Sequence, residues 1–343
     1  MKKKKNGKTD SKRACIGIDI GGTKSLYALF DSNFEVLAEE KLRTHPEKGG
    51  VRAFTRALKG TVDKLMREAR KRGLKVKCVG VGCAGDIDLK RGVIRHSPNL
   101  EFLDGYRLHD KLERLTKANV FVGHDVQAAL NGEFRRGAAR KSRHVIGVWL
   151  GTGVGGALII DGRLHLGVSG QAGDLGNYLL HAVDVSQELP RKEVLDNVAS
   201  RTAIAGDAAA LAAKHHAPSL QKAAGTDVRD IKASALAEAI RAGDKHVEKL
   251  VRSRASVVGA ALSNLVDFLN PDMIVLGGGL VEAMPALMRR EIRQAIEAHA
   301  APKAAKAVDV RIAKLLDHAG TVGAACLAMD MFSGDPPIDL DAL

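Results

Sequence analysis

Apolar residues cluster in short strand-like stretches, several of which end in glycine or a polar turn. Strand signals at 14–20, 26–30 and 34–41, separated by Gly21-Gly22 and Asp31-Ser32-Asn33, predict a three-stranded antiparallel meander. The period then changes. Val51, Phe54, Leu58, Val62, Leu65 and Met66 recur at helical spacing and Gly73 supplies a stop, which predicts an amphipathic helix over 51–72. A strand at 76–82 runs into Cys83-Ala-Gly-Asp-Ile-Asp88, followed by a loop over 96–105, a helix near 106–117, a short strand at 120–122 and a helix opening at His124-Asp125. Strand signals return at 144–150, 155–160 and 163–166, then helices, then a strand at 273–276. The longest helical pattern covers 244–270, with Val247, Leu250, Val251, Val258, Leu262, Leu265, Val266 and Leu269 on one face and Pro271 at its end.

The order strand, strand, strand, helix, strand, helix, strand departs from the strict alternation of a doubly wound dinucleotide fold. It resembles the ribonuclease-H-like half of the actin and sugar-kinase superfamily, and the second half of the chain repeats it. The expected fold is therefore α/β and duplicated, of the actin-like ATPase type, with two lobes around a nucleotide cleft. The expected division is a disordered basic tail over 1–13, an N-terminal lobe over 14–124 completed by a C-terminal helix over 318–343, and a C-terminal lobe over 125–317.

Composition narrows the class. With 343 residues, 45% of them hydrophobic, the chain can bury a large core. No apolar run approaches the roughly 20 residues of a membrane span, and the basic N-terminus lacks the apolar segment of a signal peptide, so a cytoplasmic protein without a membrane partner is expected. Cys15, Cys78, Cys83 and Cys326 are scattered through apolar surroundings and read as reduced core thiols. The net charge of +13 suggests nucleic acid until it is located. Lys2, Lys3, Lys4, Lys5, Lys8, Lys12 and Arg13 against Asp10 make +6, leaving +7 for the remainder. With 3% aromatics there is also little material for stacking bases, so no nucleic-acid partner is expected.

Three apolar runs are delivered directly into glycines. In Ile16-Gly-Ile-Asp-Ile-Gly-Gly-Thr-Lys24 the run carries Asp19 and ends in Gly21, Gly22 and Thr23. In Gly147-Val-Trp-Leu-Gly-Thr-Gly-Val-Gly-Gly156 it ends in Gly151, Thr152 and Gly153, and Asp161-Gly162 later closes a tight turn. In Asn270-Pro-Asp-Met-Ile-Val-Leu-Gly-Gly-Gly-Leu280 it ends in Gly277, Gly278 and Gly279, followed by a helix. Glycine permits positive φ and leaves no Cβ between backbone and ligand, so successive amides can point at an anion. A bulged glycine-rich hairpin is the plain structural reading of any one junction, but three in one chain point to a nucleotide cleft.

Asp19-Ile-Gly-Gly-Thr-Lys24, Leu150-Gly-Thr-Gly-Val-Gly-Gly156, the stretch 270–279 and Ala319-Gly-Thr-Val-Gly-Ala-Ala325, in this order, resemble the motifs of the ROK family (repressors, open reading frames and kinases). The similarity runs from Cys15 to Met331. The family's enzymes are ATP-dependent sugar kinases, glucokinases among them, and the resemblance implies ATP, Mg²⁺, a sugar substrate and a homodimer. On it, Asp125 takes the proton of the attacking hydroxyl and Asp19 holds Mg²⁺ directly or through water. Thr23 and Thr152, with the amides of Gly21, Gly22, Gly151 and Gly153, bind phosphate oxygens, and the loop Gly277–Gly279 faces the adenosine. Lys24 either adds charge there or is a surface strand residue. A helix N-terminus at Asp125 favours its ionised form.

The sugar side departs from the family pattern. Asn99 in Ser97-Pro-Asn-Leu100 matches the sugar-binding Asn, but the family's Asn-Asp is His124-Asp125 here, with His124 either orienting the base or capping the helix. The family's Glu-x-Gly-His is Asp174-Leu-Gly-Asn177, and Asp196 stands in place of a sugar-contacting Glu. The Cys-rich zinc loop is absent, so no zinc is expected. Two carboxylates kept but shortened leave room for a ligand bulkier than glucose or bound through water. Two alternatives stand beside the kinase. One is a non-catalytic sugar sensor or scaffold, although the roughly 13 residues before the first strand are too few for a DNA-binding helix-turn-helix. The other is a kinase using polyphosphate.

Overall fold

The computed structural model describes residues 12–44, 49–180, 193–332 and 338. The tail expected over 1–13 thus lies almost wholly outside the described residues. Two compact units divide the chain, the first taking in the described residues of 1–140, 166–170 and 317–343, the second those of 141–165 and 171–316.

In the first unit, β1 (Arg13–Ile20), β2 (Lys24–Asp31) and β3 (Val36–Arg43) form the expected meander and α1 (Gly50–Lys71) the expected amphipathic helix. Then come β4 (Lys75–Cys83), β5 (Asp86–Asp88), β6 (Val93–His96), β7 (Tyr106–Arg107), α2 (Leu108–Thr116), β8 (Asn119–His124) and α3 (Asp125–Arg136). The main sheet has the order β3-β2-β1-β4-β8. β1 runs antiparallel to β2 and parallel to β4, which is parallel to β8. As a central strand β1 is buried from Ala14 to Ile18, and hence reads as a continuous apolar run rather than an alternation. Strands β5, β6 and β7 make a separate small sheet partly within the expected loop. They are too short, and carry too many charges at Asp86, Asp88, Arg95 and Arg107, to show a period.

In the second unit, β9 (Val145–Leu150), β10 (Val154–Ile160) and β11 (Arg163–His165) precede the helices α4 (Leu195–Ala199), α5 (Arg201–Ala213), α6 (Pro218–Ala224), α7 (Ala233–Arg241) and α8 (Lys245–Leu269). There follow β12 (Met273–Gly277), α9 (Gly279–Ala283), α10 (Pro285–His299), α11 (Pro302–Ala307) and β13 (Asp309–Ile312). The sheet order is β11-β10-β9-β12-β13, with two antiparallel pairs followed by two parallel pairs. Strand for strand this is the order of the first unit, so the α/β duplication read from the sequence is present. Strand β13 was not expected, because two of its four residues are charged. Helix α8 stops where Asn270 takes a left-handed conformation at φ 46°, which Asn tolerates better than most residues, ahead of Pro271.

The chain then returns to the first unit as α12 (Ala319–Met331), buried at every position from Ala319 to Ala328. Small residues let it approach this closely. Gly17 and Gly80 are register partners on β1 and β4, and a side chain at either would overlap the Thr321 or Ala324 carbonyl of α12. On its other flank, side chains at Gly323 and Gly132 would overlap the backbone carbonyls of Ala128 and Ala319. Helix α3 is thereby wedged against α12, which is why the units do not divide at 124/125 as expected. Residues 166–170 also belong to the first unit, where Gln127 Nε2 of α3 donates to the Gly170 carbonyl at 2.9 Å. The closing helix ends at Met331, and most of the remainder expected in it lies outside the described residues. All four cysteines are free and buried. No helix among the described residues is long and apolar enough to cross a membrane.

Candidate active site

The parallel strands β1, β4 and β8 end together, and their carboxyl ends carry the chemistry of the first unit, as open α/β sheets commonly do. Asp19 pairs in register with Gly82, Ile20 with Cys83, and Cys83 with His124, which leads into Asp125 at the first turn of α3. Gly82 makes room: a Cβ there would lie 3.1 Å from Asp125 Cα. Gly320, in the first turn of α12, does the same for Asp19, whose Oδ2 would lie 2.5 Å from a Cβ at that position.

Burial pushes the Asp19 carboxyl up to about 8; the Asp125 charge adds to the rise, Lys24 opposes it and Asp317 reinforces it. Asp125 is also raised, chiefly by burial, against the opposing effects of His124 and of the Val126 amide, which donates to Asp125 Oδ1 at 2.8 Å. Burial thus outweighs the helix terminus, reversing the direction expected from the terminus alone. Burial and both aspartates hold the Cys83 thiol well above its ordinary value. Two carboxyls resisting ionisation side by side are what a cation would relieve.

The first glycine turn connects β1 to β2. Gly21 N donates to the Lys24 carbonyl at 3.1 Å, and the amides of Gly22 and Thr23 donate to nothing among the described residues. Asn99 is brought to this turn, since a Cβ at Gly22 would lie 2.9 Å from its Cβ. Its loop is fixed by Asp104, which accepts from Ser97 N at 2.9 Å and pairs with His96 Nδ1 at 2.8 Å. Lys24 is engaged at the surface: its Nζ lies 2.5 Å from Asp317 Oδ1, and Lys41 contacts the other oxygen at 3.1 Å. These bonds outweigh burial and hold Asp317 below its ordinary value.

The second turn, between β9 and β10, has the same design. Gly151 N donates to Gly153 O at 2.9 Å while the amides of Thr152 and Gly153 donate to nothing among the described residues. Asp196 comes to this turn, its Oδ1 accepting from Val154 N at 2.6 Å. Asp174 and Asn177 satisfy each other in an exposed turn, Asn177 Nδ2 donating to Asp174 Oδ2 at 2.7 Å. The third junction lies beside the second because Gly277 pairs in register with Trp149. Packing explains two of its glycines: a Cβ at Gly277 would lie 2.7 Å from the Trp149 indole, and Gly278, at φ 88°, faces the Leu150 backbone. Gly279 has open space and starts α9.

The ROK family model matches residues 15–331. The chain belongs to the ROK family. Glucokinase from Halalkalibacterium halodurans is 32% identical over 319 residues, covering 92% of this chain and 95% of that protein. Glucokinase from Thermotoga maritima is 28% identical over 93% of this chain and 98% of its own length. Among solved structures, a ROK family glucokinase from Streptomyces griseus in complex with glucose and AMPPNP superposes with a TM-score of 0.75 at 30% identity, covering 92% of this chain and 99% of the other.

In this ROK protein the first unit gathers Asp19, Gly21–Thr23, Asn99, His124 and Asp125, and the second gathers Gly151–Gly153, Asp174, Asn177, Asp196 and Gly277–Gly279. Sequence reasoning missed Asp104, which acts within its own loop, and Asp317, Arg201 and Thr202, which act on partners distant in sequence. Gly320 alone left a signal, as the glycine of the Ala319-Gly-Thr motif.

Proposed function

We propose that this ROK sugar kinase transfers the γ-phosphoryl group of ATP to a hydroxyl of a hexose or hexose derivative, with Asp125 as general base. The observation that carries this reading is the meeting of Asp19, Asp125 and a glycine turn, two of whose amides have no partner among the described residues, at the carboxyl ends of the first sheet's parallel strands. Phosphoryl transfer asks the protein for positioning and charge neutralisation more than for covalent chemistry. The amides of Gly22, Thr23, Thr152 and Gly153, without partners among the described residues, receive phosphate oxygens together with the two threonine hydroxyls. Asp125 accepts the proton of the attacking hydroxyl, with His124 beside it to orient the carboxylate. Asn99, Asp174 and Asn177 hold sugar hydroxyls.

The site suits a hard divalent cation, since Asp19 offers a carboxylate oxygen whose ionisation burial and the neighbouring Asp125 charge oppose. Asp19 would hold Mg²⁺, directly or through water, and the ion would supply charge neutralisation at the phosphates. Lys24, already bound by Asp317, contributes its field to Asp19 more than a direct phosphate contact.

The test is ADP release from Mg-ATP across a panel of hexoses, N-acetylhexosamines and pentoses. The kinase reading requires sugar-dependent release with at least one hexose or hexose derivative. Sugar binding by calorimetry without ADP release in the presence of any panel member would make the protein a sensor, and sugar phosphate formed with polyphosphate but not with Mg-ATP would change the donor.

A further inference from the structure

The second glycine turn is gripped by a corner of the chain that lies some fifty residues further on. The Arg201 amide donates to the Gly151 carbonyl at 2.9 Å, and Thr202 Oγ1 donates to the Thr152 carbonyl at 2.9 Å. The Gly153 carbonyl is taken by the Gly151 amide at 2.9 Å. Every carbonyl of the turn is therefore engaged. Asp196 completes the grip by accepting the Val154 amide at 2.6 Å, a short bond of the charge-assisted kind. What the turn leaves without a partner among the described residues is the pair of amides at Thr152 and Gly153.

The corner is rigid enough to do this. Leu195, Val198 and Ala199 of α4 are buried, the Leu195 amide donates to the Tyr178 carbonyl at 2.9 Å, and Ser200 caps α5 by accepting from Ala203 N at 3.2 Å. Gly153 must be a glycine for the carboxylate to reach: a Cβ there would lie 2.8 Å from Asp196 Oδ1. The corner also touches the sugar-side turn, because a Cβ at Gly176 would lie 3.5 Å from Asp174 Oδ1 and 3.6 Å from Asp196 Cβ.

We infer that Asp196, with Thr202, is a positioning residue for the donor phosphates, acting through the Gly151–Gly153 turn, rather than a sugar contact. The inference rests on the kinase reading. With Thr202 holding the Thr152 carbonyl and Asp196 holding the Val154 amide, these side chains keep the two open amides ready for an anion, so less ordering of the turn remains when nucleotide arrives.

Full-length Asp196→Ala, Asp196→Asn and Thr202→Val are compared with wild type by calorimetry with Mg-AMPPNP and by steady-state kinetics. Asp196→Ala should raise both Kd for AMPPNP and KM for ATP about tenfold or more, with KM for sugar within about threefold. Asp196→Asn keeps an acceptor for the Val154 amide and should recover most of that affinity. Thr202→Val should shift the same constants by a smaller factor, with far-UV spectra unchanged in all three. Asp196→Ala with unaltered or tighter AMPPNP binding, or with the increase falling on KM for sugar, overturns the assignment of Asp196. Wild type that does not bind AMPPNP at all overturns the kinase reading first.

Discussion

Asp19 ordinarily loses its proton near pH 3.8, and burial in the folded protein pushes that up to about 8. The unfolded chain releases this proton near 3.8 while the native state keeps it to about 8, so the group's contribution to stability is full below that window, falls as pH rises through it and is flat above it. In metal-free protein Asp19→Asn should therefore be more stable than wild type at pH 8 and lose that advantage near pH 4. Urea midpoints at the two pH values check this, and parallel pH profiles would refute it. On the proposed reading, the residue that costs stability is the one that would meet a cation. Asp19, Asp125 and Asn99 were legible as candidates because each sits in a short motif. Asp317 was not, being 293 residues from Lys24, and neither was Thr202, whose hydroxyl serves a carbonyl 50 residues away. Asp196 was legible as a candidate, but what its carboxylate touches is a matter of packing.

Among the elements, α12 bears the most specific packing, and its glycine contacts make a sharp prediction. A methyl at Gly80 would meet the Ala324 carbonyl, which belongs to a helix buried on all sides and unable to retreat. Gly80→Ala should cost about 1–3 kcal/mol, as overpacking does. Gly206, in α5 with nothing within 4 Å of its would-be Cβ, is the control, and Gly206→Ala should gain about 0.5–1 kcal/mol by helix propensity. Equilibrium unfolding in urea measures both, and a neutral Gly80→Ala would show that α12 does not lie against β4 as described. The elements themselves were largely legible, since β1, β2, α1 and α8 have clear periods and recognisable stops. Strands β5, β6, β7 and β13 were not, because two to four residues with charges among them carry too little pattern.

At the scale of the molecule, two units share one strand order, and that duplication could be read from the succession of periods alone. The boundary between them could not. Helix α3 follows β8 without a linker, and only its close contact with α12, nearly 200 residues later, assigns it to the first unit; Asn131 Nδ2 donating to the Gly323 carbonyl at 3.2 Å is one of those contacts. The candidate base thus belongs to the first unit, and the turn gripped by Asp196 and Thr202 to the second. If the protein is a kinase in which Asp125 takes the proton, loss of the base must be separable from loss of the donor. Asp125→Asn retains shape but cannot accept the proton. Measured on the preferred sugar of the wild type, it should lower kcat by at least about 10²-fold while leaving Kd for Mg-AMPPNP nearly unchanged. Phosphorylation by Asp125→Asn at the wild-type rate would reduce Asp125 to a helix-terminal residue and contradict the mechanism.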